Sequence, residues 1–254
     1  MSRIWILLLL LVLAAPAVNT LEQSFTCPIC GHVWTQRIET SSRPTGLRLD
    51  LRQLGDVVDP PTLPQCPNCR FVVFSESLKP ATIDRLKPFV QGQDYQMFAA
   101  KSPTYFCLAQ LQELLRAPAK YIAQSYLRAA WQSEDKPAVA ARYLAMSEQL
   151  LAKALDGMIP EEKAYPDAAL LRGEILRRLA RWDEADQSFR TLGSRPDFQE
   201  PKRQQLVAQE LSLIERKDSQ PQQLREPGAA GQDPEMLPDP VPISVRKPKI
   251  GEPK

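Results

Sequence analysis

The chain has 254 residues, with 32 basic and 30 acidic side chains and a formal charge of +2, a balance that argues against a nucleic-acid protein, where a concentrated basic stripe is expected. Its length allows one domain plus a small module, or two domains. Five cysteines, a single histidine and 24 prolines are the compositional features that carry information.

Residues 1–17 read as a secretory signal peptide: Arg3, an apolar run from Ile4 to Ala15, then small residues at Ala15 and Ala17 around Pro16, with cleavage expected after Ala17. The run is shorter than the roughly 20 residues of a spanning helix, and no later segment is apolar enough to be a second span. The expectation is a periplasmic protein with no stable membrane span after cleavage. Trp5 and the dense leucines leave an uncleaved inner-membrane anchor as the alternative.

From residue 25 to 78 the sequence predicts a small β module. Val33 to Ile38, the alternating Leu47, Leu49 and Leu51 against Arg48, Asp50 and Arg52, and Phe71 to Phe74 read as three short strands, the middle one with one face buried and one solvated. Two knuckles precede the first and third strands, Cys27-Pro28-Ile29-Cys30 and Cys66-Pro67-Asn68-Cys69. Strands and knuckles in this order have the layout of a zinc ribbon. Asp59-Pro60-Pro61-Thr62-Leu63-Pro64 is a stiff extended lead into the second knuckle.

Residues 79–218 predict helices. Ser102-Pro103 starts one, with Cys107, Leu108, Leu111, Leu114 and Leu115 as its apolar stripe. Further amphipathic stretches run from Lys120 to Gln132, Ala138 to Leu155, Ala164 to Leu179, Trp182 to Leu192 and Pro201 to Glu215. The short connections make sequential helices antiparallel neighbours. Residues 219–254 are Pro-rich and read as a disordered tail, in which Val241 to Val245 could dock as an extended segment. The fold class expected is therefore α+β, mostly α: a small zinc-ribbon-like β module followed by an array of helical hairpins.

Between Pro166 and Phe198, Ala169, Gly173, Leu176, Ala185 and Phe189 flank a turn at Arg181-Trp182-Asp183-Glu184. The segment resembles a tetratricopeptide repeat, a helical hairpin of roughly 34 residues. Gly173 would let the two helices approach, Ala185 would keep the facing position small, and Phe189 would fill the wedge to the next hairpin. Leu192, where the family often has alanine, and Pro196 depart from the pattern. Tyr121 to Leu155 is a degenerate earlier hairpin, and Pro201 to Glu215 a capping helix. The resemblance implies a concave partner-binding face made by Asp167, Leu170, Glu174, Arg177 and Arg178, against the plainer reading of a solvated charged face.

Four thiolates in two CxxC turns suit a tetrahedral zinc site with no open position, so Cys27, Cys30, Cys66 and Cys69 are the candidate metal ligands. Gly31, after the first knuckle, permits the left-handed turn that points N–H groups at sulfur, whereas Arg70 holds that place in the second. Export into an oxidising compartment keeps structural disulfides open, Cys27–Cys30 with Cys66–Cys69 being the local pairing. A redox-active dithiol is the third reading, although extended segments rather than helices follow the knuckles. Cys107 reads as a buried thiol, and His32 as an ordinary strand position rather than a ligand.

With one histidine, no nucleophile elbow and no phosphate-binding glycine loop, nothing assembles a catalytic constellation. The arrangement over Phe25 to Leu192 resembles an uncharacterised bacterial family in which paired CPxC knuckles precede tetratricopeptide-like helices. The resemblance is carried by CPICG, the Arg-Leu-Asp-Leu run at 48–51, CPNC followed by FVVF, and the later hairpin. It implies architecture more than activity: an exported, non-enzymatic scaffold or adaptor that binds a protein or peptide partner through its helices and carries structural zinc. The competing class is an envelope thiol–disulfide protein using one CxxC pair.

Overall fold

A computed structural model of the chain describes residues 19–40, 43–75, 77–160, 162 and 164–225. The expected leader, residues 226–254 and the Val241 to Val245 stretch lie outside the described residues. Among the described residues the protein is mostly helical, with two small antiparallel sheets at their N-terminal end.

Strand β1 (Asn19–Thr26) pairs with β2 (Val33–Thr40), so the first knuckle is the loop of a hairpin whose last pair is Thr26 opposite Val33. The second knuckle is flanked in the same way, by a single antiparallel bridge between Gln65 and Val72. A second hairpin, β3 (Arg43–Leu47) with β4 (Gln53–Asp56), sits between them in sequence. These pairings correct the expected three-strand layout. A strand precedes the first knuckle, and Phe71 to Phe74 adds only one bridge.

The alternation at 47–51 does not extend a strand. Leu47 ends β3, and the chain turns through Leu51 at φ 71°. Leu49, Arg48 and Asp50 are all buried. The charged face expected in solvent is inside because Arg48 grips Asp50 with two hydrogen bonds, Nε to Oδ1 at 3.0 Å and Nη2 to Oδ2 at 2.5 Å. Burial of paired charges is tolerable where a lone charge is not.

Eight α-helices follow among the described residues: α1 (Pro80–Gln91), α2 (Gln93–Ala99), α3 (Thr104–Leu114), α4 (Ala119–Trp131), α5 (Pro137–Asp156), α6 (Tyr165–Arg178), α7 (Trp182–Gly193) and α8 (Pro201–Glu215). Proline stands in the first turn of α1, α5, α6 and α8, where a missing N–H costs nothing. The principal helix contacts run between sequential neighbours, α1 on α2 through α7 on α8, so the core extends along a stack. Gly173 of α6 is needed for one of those contacts: a Cβ there would lie 2.8 Å from Phe189 Cζ of α7. No described helix is long and apolar enough to cross a membrane.

The core is continuous from the knuckles into the helices. Cys27, Ile29, Cys66, Phe71 and Val72 bury together with Leu86, Val90 and Tyr95. Ring contacts then lead onward, Phe89–Tyr95 at 5.5 Å, Tyr95–Phe98 at 5.0 Å, Phe98–Phe106 at 5.4 Å and Phe106–Tyr143 at 5.1 Å. Such pairs add about 0.5–1.5 kcal/mol each beyond area burial.

After α8 the chain returns to the N-terminal module instead of entering a solvated tail at once. Leu49 N donates to Gln222 O at 3.0 Å and Leu224 N to Leu47 O at 2.8 Å, which lays residues 222–224 beside the end of β3. Gln209 of α8 holds the other side of this strap, its Nε2 donating to Gln223 O at 2.8 Å and its Oε1 accepting from Arg225 N at 3.0 Å.

Candidate metal centre

The two knuckles adopt one geometry. In the first, Gly31 N donates to Cys27 O at 2.9 Å and Cys27 N to His32 O at 2.9 Å. In the second, Arg70 N donates to Cys66 O at 2.8 Å and Cys66 N to Phe71 O at 2.9 Å. Gly31 and Arg70 both lie in the left-handed region, at φ 72° and 58°. Arg70 therefore makes the turn a glycine would make, held by the Tyr95 hydroxyl, which donates to Arg70 O at 3.0 Å, and by Gln96 Nε2, which donates to Cys69 O at 2.8 Å. Both anchors come from α2, so the second knuckle is built partly by the helical region.

This geometry brings four sulfurs together. The Sγ atoms of Cys27, Cys30, Cys66 and Cys69 all lie within 4.8 Å of one another. Cys27 and Cys69 approach to 3.5 Å and Cys30 and Cys66 to 3.6 Å, while all four remain thiols. A disulfide needs about 2.05 Å. Tetrahedral zinc with Zn–S near 2.3 Å sets sulfurs about 3.8 Å apart, so the cluster has the size of a four-sulfur metal site. The donor set fits a metal such as zinc.

Backbone hydrogen bonds already point at the sulfurs. Burial pushes the Cys27 thiol up to about 11, against the opposing pull of N–H groups from Cys30 and Ile29. Burial raises Cys69 as well, opposed by the Phe71 N–H. At Cys30 burial also acts upward, but hydrogen bonds from the Asn68 side chain and the His32 backbone outweigh it and bring the thiol down to about 6. Donors aimed at sulfur stabilise thiolate, the form that ligates metal. Cys30 alone of the four is half-buried; the others are inside.

The remaining residues singled out in the sequence fall elsewhere. His32 is exposed, stacked near Trp34 at 6.4 Å between ring centres, and outside the sulfur cluster. Cys107 is buried in α3, its thiol pushed up to about 12 by burial.

The expected partner face is corrected at its centre. Arg177 is 0 % exposed and Glu174 1 % exposed. Arg177 holds Glu174 through Nε and Nη2 at 2.8 Å each, takes Glu210 of α8 at 3.0 Å, and donates to the backbone carbonyls of Asp218 and Gln220. Arg178 turns toward the N-terminal module and contacts Asp50 Oδ2 at 2.5 Å. Asp167 and Leu170 are half-buried, and Leu170 packs on the core between α6 and α8. Arg177 and Arg178 fasten the fold together here, because each finds a buried counter-charge on another element, Glu210 and Asp50.

Sequence reasoning missed the Asp50 hub altogether. Asp50 is fully buried and accepts from Arg48, Arg178 and Trp131, while Glu134 pairs with Arg48 and Arg52. The signal available was Asp50 alternating with leucines, two residues from Arg48, in Leu47 to Leu51.

No protein-family model matches the chain, and comparison with curated proteins and with solved structures gives no match either.

Proposed function

We propose that the protein is a zinc-stapled helical scaffold: a non-enzymatic, exported protein in which one structural zinc ion, held by Cys27, Cys30, Cys66 and Cys69, fixes the N-terminal module onto a helical array that binds a protein partner. The observation that carries the structural-metal reading is the clustering of the four sulfurs in matched knuckles, three of them inside the hydrophobic core and Cys30 packed against it. Four sulfur ligands fill a tetrahedral shell and leave no position for a substrate. The zinc would supply cross-linking of the two knuckles. The chain's own part is to hold the second turn through α2 and the first through the β1–β2 hairpin, to aim N–H groups at sulfur and to shield most of the cluster from water.

The scaffold part is supported by the sequential stacking of helices and by the absence of a catalytic constellation from the sequence motifs. Thermal unfolding followed by helical signal, with and without a strong chelator, tests the staple. A single transition that moves down on chelation is expected, and helices that melt unchanged would refute it. Partner binding is tested by crosslinking pull-down of the full chain from cell-envelope extract. Recovery of one protein in fixed ratio, lost after zinc stripping, is the expected result; recovery of none removes the scaffold role.

The second reading, a thiol–disulfide protein, is favoured by one observation, the half-buried Cys30 with its thiol brought down to about 6. A redox-active pair should become the reactive dithiol of a metal-free protein in its resting state. One titration of fast-reacting thiols on natively purified protein separates the two.

A further inference from the structure

We propose that hydrogen peroxide converts the four-cysteine cluster into two disulfides across the knuckles, Cys30–Cys66 and Cys27–Cys69, replacing the metal staple by a covalent one at the same place. The inference rests on the reading of the four thiolates as one metal site. It differs from the local pairing, in which each CxxC closes on itself.

The contacts at 3.5 and 3.6 Å each join one knuckle to the other. Bond formation there asks the sulfurs to close by roughly 1.5 Å to reach disulfide length. The cross pairs lie 42 and 36 residues apart in sequence, against three for the local pairs. Long closed loops restrict the unfolded chain far more than short ones, so cross pairs keep the module stapled when the metal leaves and local pairs do not. The knuckles are also braced from outside, by Tyr95 and Gln96 on the second and by the β1–β2 pairing on the first. Neither turn has to refold for its sulfurs to meet across the site.

Access sets the order. Cys30 is the half-buried sulfur and meets the oxidant first. Its thiolate attacks one peroxide oxygen, giving a sulfenic acid and releasing hydroxide. Cys66 then attacks the sulfenic sulfur, the S–S bond forms and hydroxide leaves. A second peroxide does the same for Cys27 and Cys69. Four thiolates give up four electrons to two peroxides, which take four protons and leave as four waters, and the divalent ion is released.

Trypsin reads the pairing directly. Cys27 and Cys30 fall on the peptide ending at Arg37, and Cys66 and Cys69 on the peptide from Gln53 to Arg70. Full-length protein, both zinc-loaded and metal-free and reduced, is treated with two equivalents of peroxide, alkylated and digested without reduction. The expected result is one species joining the two peptides, with one zinc released per chain from the loaded sample. Peptides that stay separate, each lighter by two hydrogens, would overturn the proposal, as would zinc release with the thiols still reduced. The double variant Cys27→Ser/Cys69→Ser, which keeps Cys30 and Cys66, should close about tenfold faster than Cys27→Ser/Cys66→Ser, which keeps Cys30 and Cys69. Equal rates would overturn the assignment within the crossed set. A protein that takes up no zinc refutes the metal reading alone, because the pairing is read on the metal-free chain as well.

Discussion

Trp131 Nε1, at the end of α4, donates a 2.9 Å hydrogen bond to Asp50 Oδ2, in the turn after β3. The same carboxylate takes Arg48 from its own turn and Arg178 from the end of α6. One buried acid thus joins the N-terminal module to two helices 81 and 128 residues further along. The module is fixed to the array at this hub, at the knuckle contacts with α2 and by the strap at residues 222–224.

Replacing Asp50 by alanine should therefore be among the most damaging single changes in the chain. It leaves Arg48 and Arg178 buried without their carboxylate, and breaking such a network costs about 3–5 kcal/mol. Denaturant unfolding should show a lower midpoint of that size. A loss below about 1 kcal/mol would mean that Glu134 alone holds the three arginines.

Gly173→Ala sets two effects against each other. Alanine gains about 1 kcal/mol of helix propensity over glycine. The new methyl would sit 2.8 Å from Phe189 Cζ, and that ring is fully buried between α6 and α7, so it cannot swing away. Overpacking of this kind costs about 1–3 kcal/mol, so net destabilisation of about 0–2 kcal/mol is expected. The variant's melting temperature checks it, and a clear rise would show that the helices stand further apart than described.

Arg177 sits between two buried carboxylates, Glu174 and Glu210, which together carry one negative charge too many. Burial, with the second carboxylate adding to it, holds Glu174 well above the ordinary carboxylate range, and burial pushes Glu210 up to about 7. A raised folded-state pKa means that the folded chain keeps a proton the unfolded chain has given up. This stabilisation is complete below the unfolded carboxylate value, near 4.5. It is lost as pH rises from there through about 7. Stability should fall by an amount on the order of 2–3 kcal/mol across that window. Glu210→Gln should flatten the dependence while leaving the hydrogen bond to Arg177. Hydrogen exchange of residues 218–225, whose carbonyls Arg177 holds at Asp218 and Gln220, should report the same window. A pH profile unchanged in the variant would assign the effect to another group.

Both knuckles and the bounds of the last six helices were legible in the sequence. Thiol spacing, proline in first turns and apolar periodicity are local signals, and here they agree with the packing. α1 and α2 were not resolved as separate helices: Pro88 interrupts the pattern inside α1, and the break at Gly92 leaves α2 only seven residues. β1 was missed because Asn19 to Thr26 is largely polar and gains its pairing from β2 across the knuckle. The buried charges were illegible for a different reason. Glu174 and Arg177 look like any solvated pair at helical spacing, and what distinguishes them is Glu210, 33 residues beyond Arg177, together with the strap that covers them. Arg48 and Asp50 mimic the solvated face of a strand for the same reason, since Arg178 arrives from the far end of the fold.

One metal ion held by four sulfurs is the central proposal. Metal content and thiol reactivity of protein purified natively, without added metal or reductant, test it together. The prediction is one zinc per chain, with four thiols that react with a mercurial only as that zinc is released to a colorimetric chelator, and Cys107 unreactive until the protein unfolds. No bound metal, with four thiols freely reactive or already joined as disulfides in the resting protein, would contradict it.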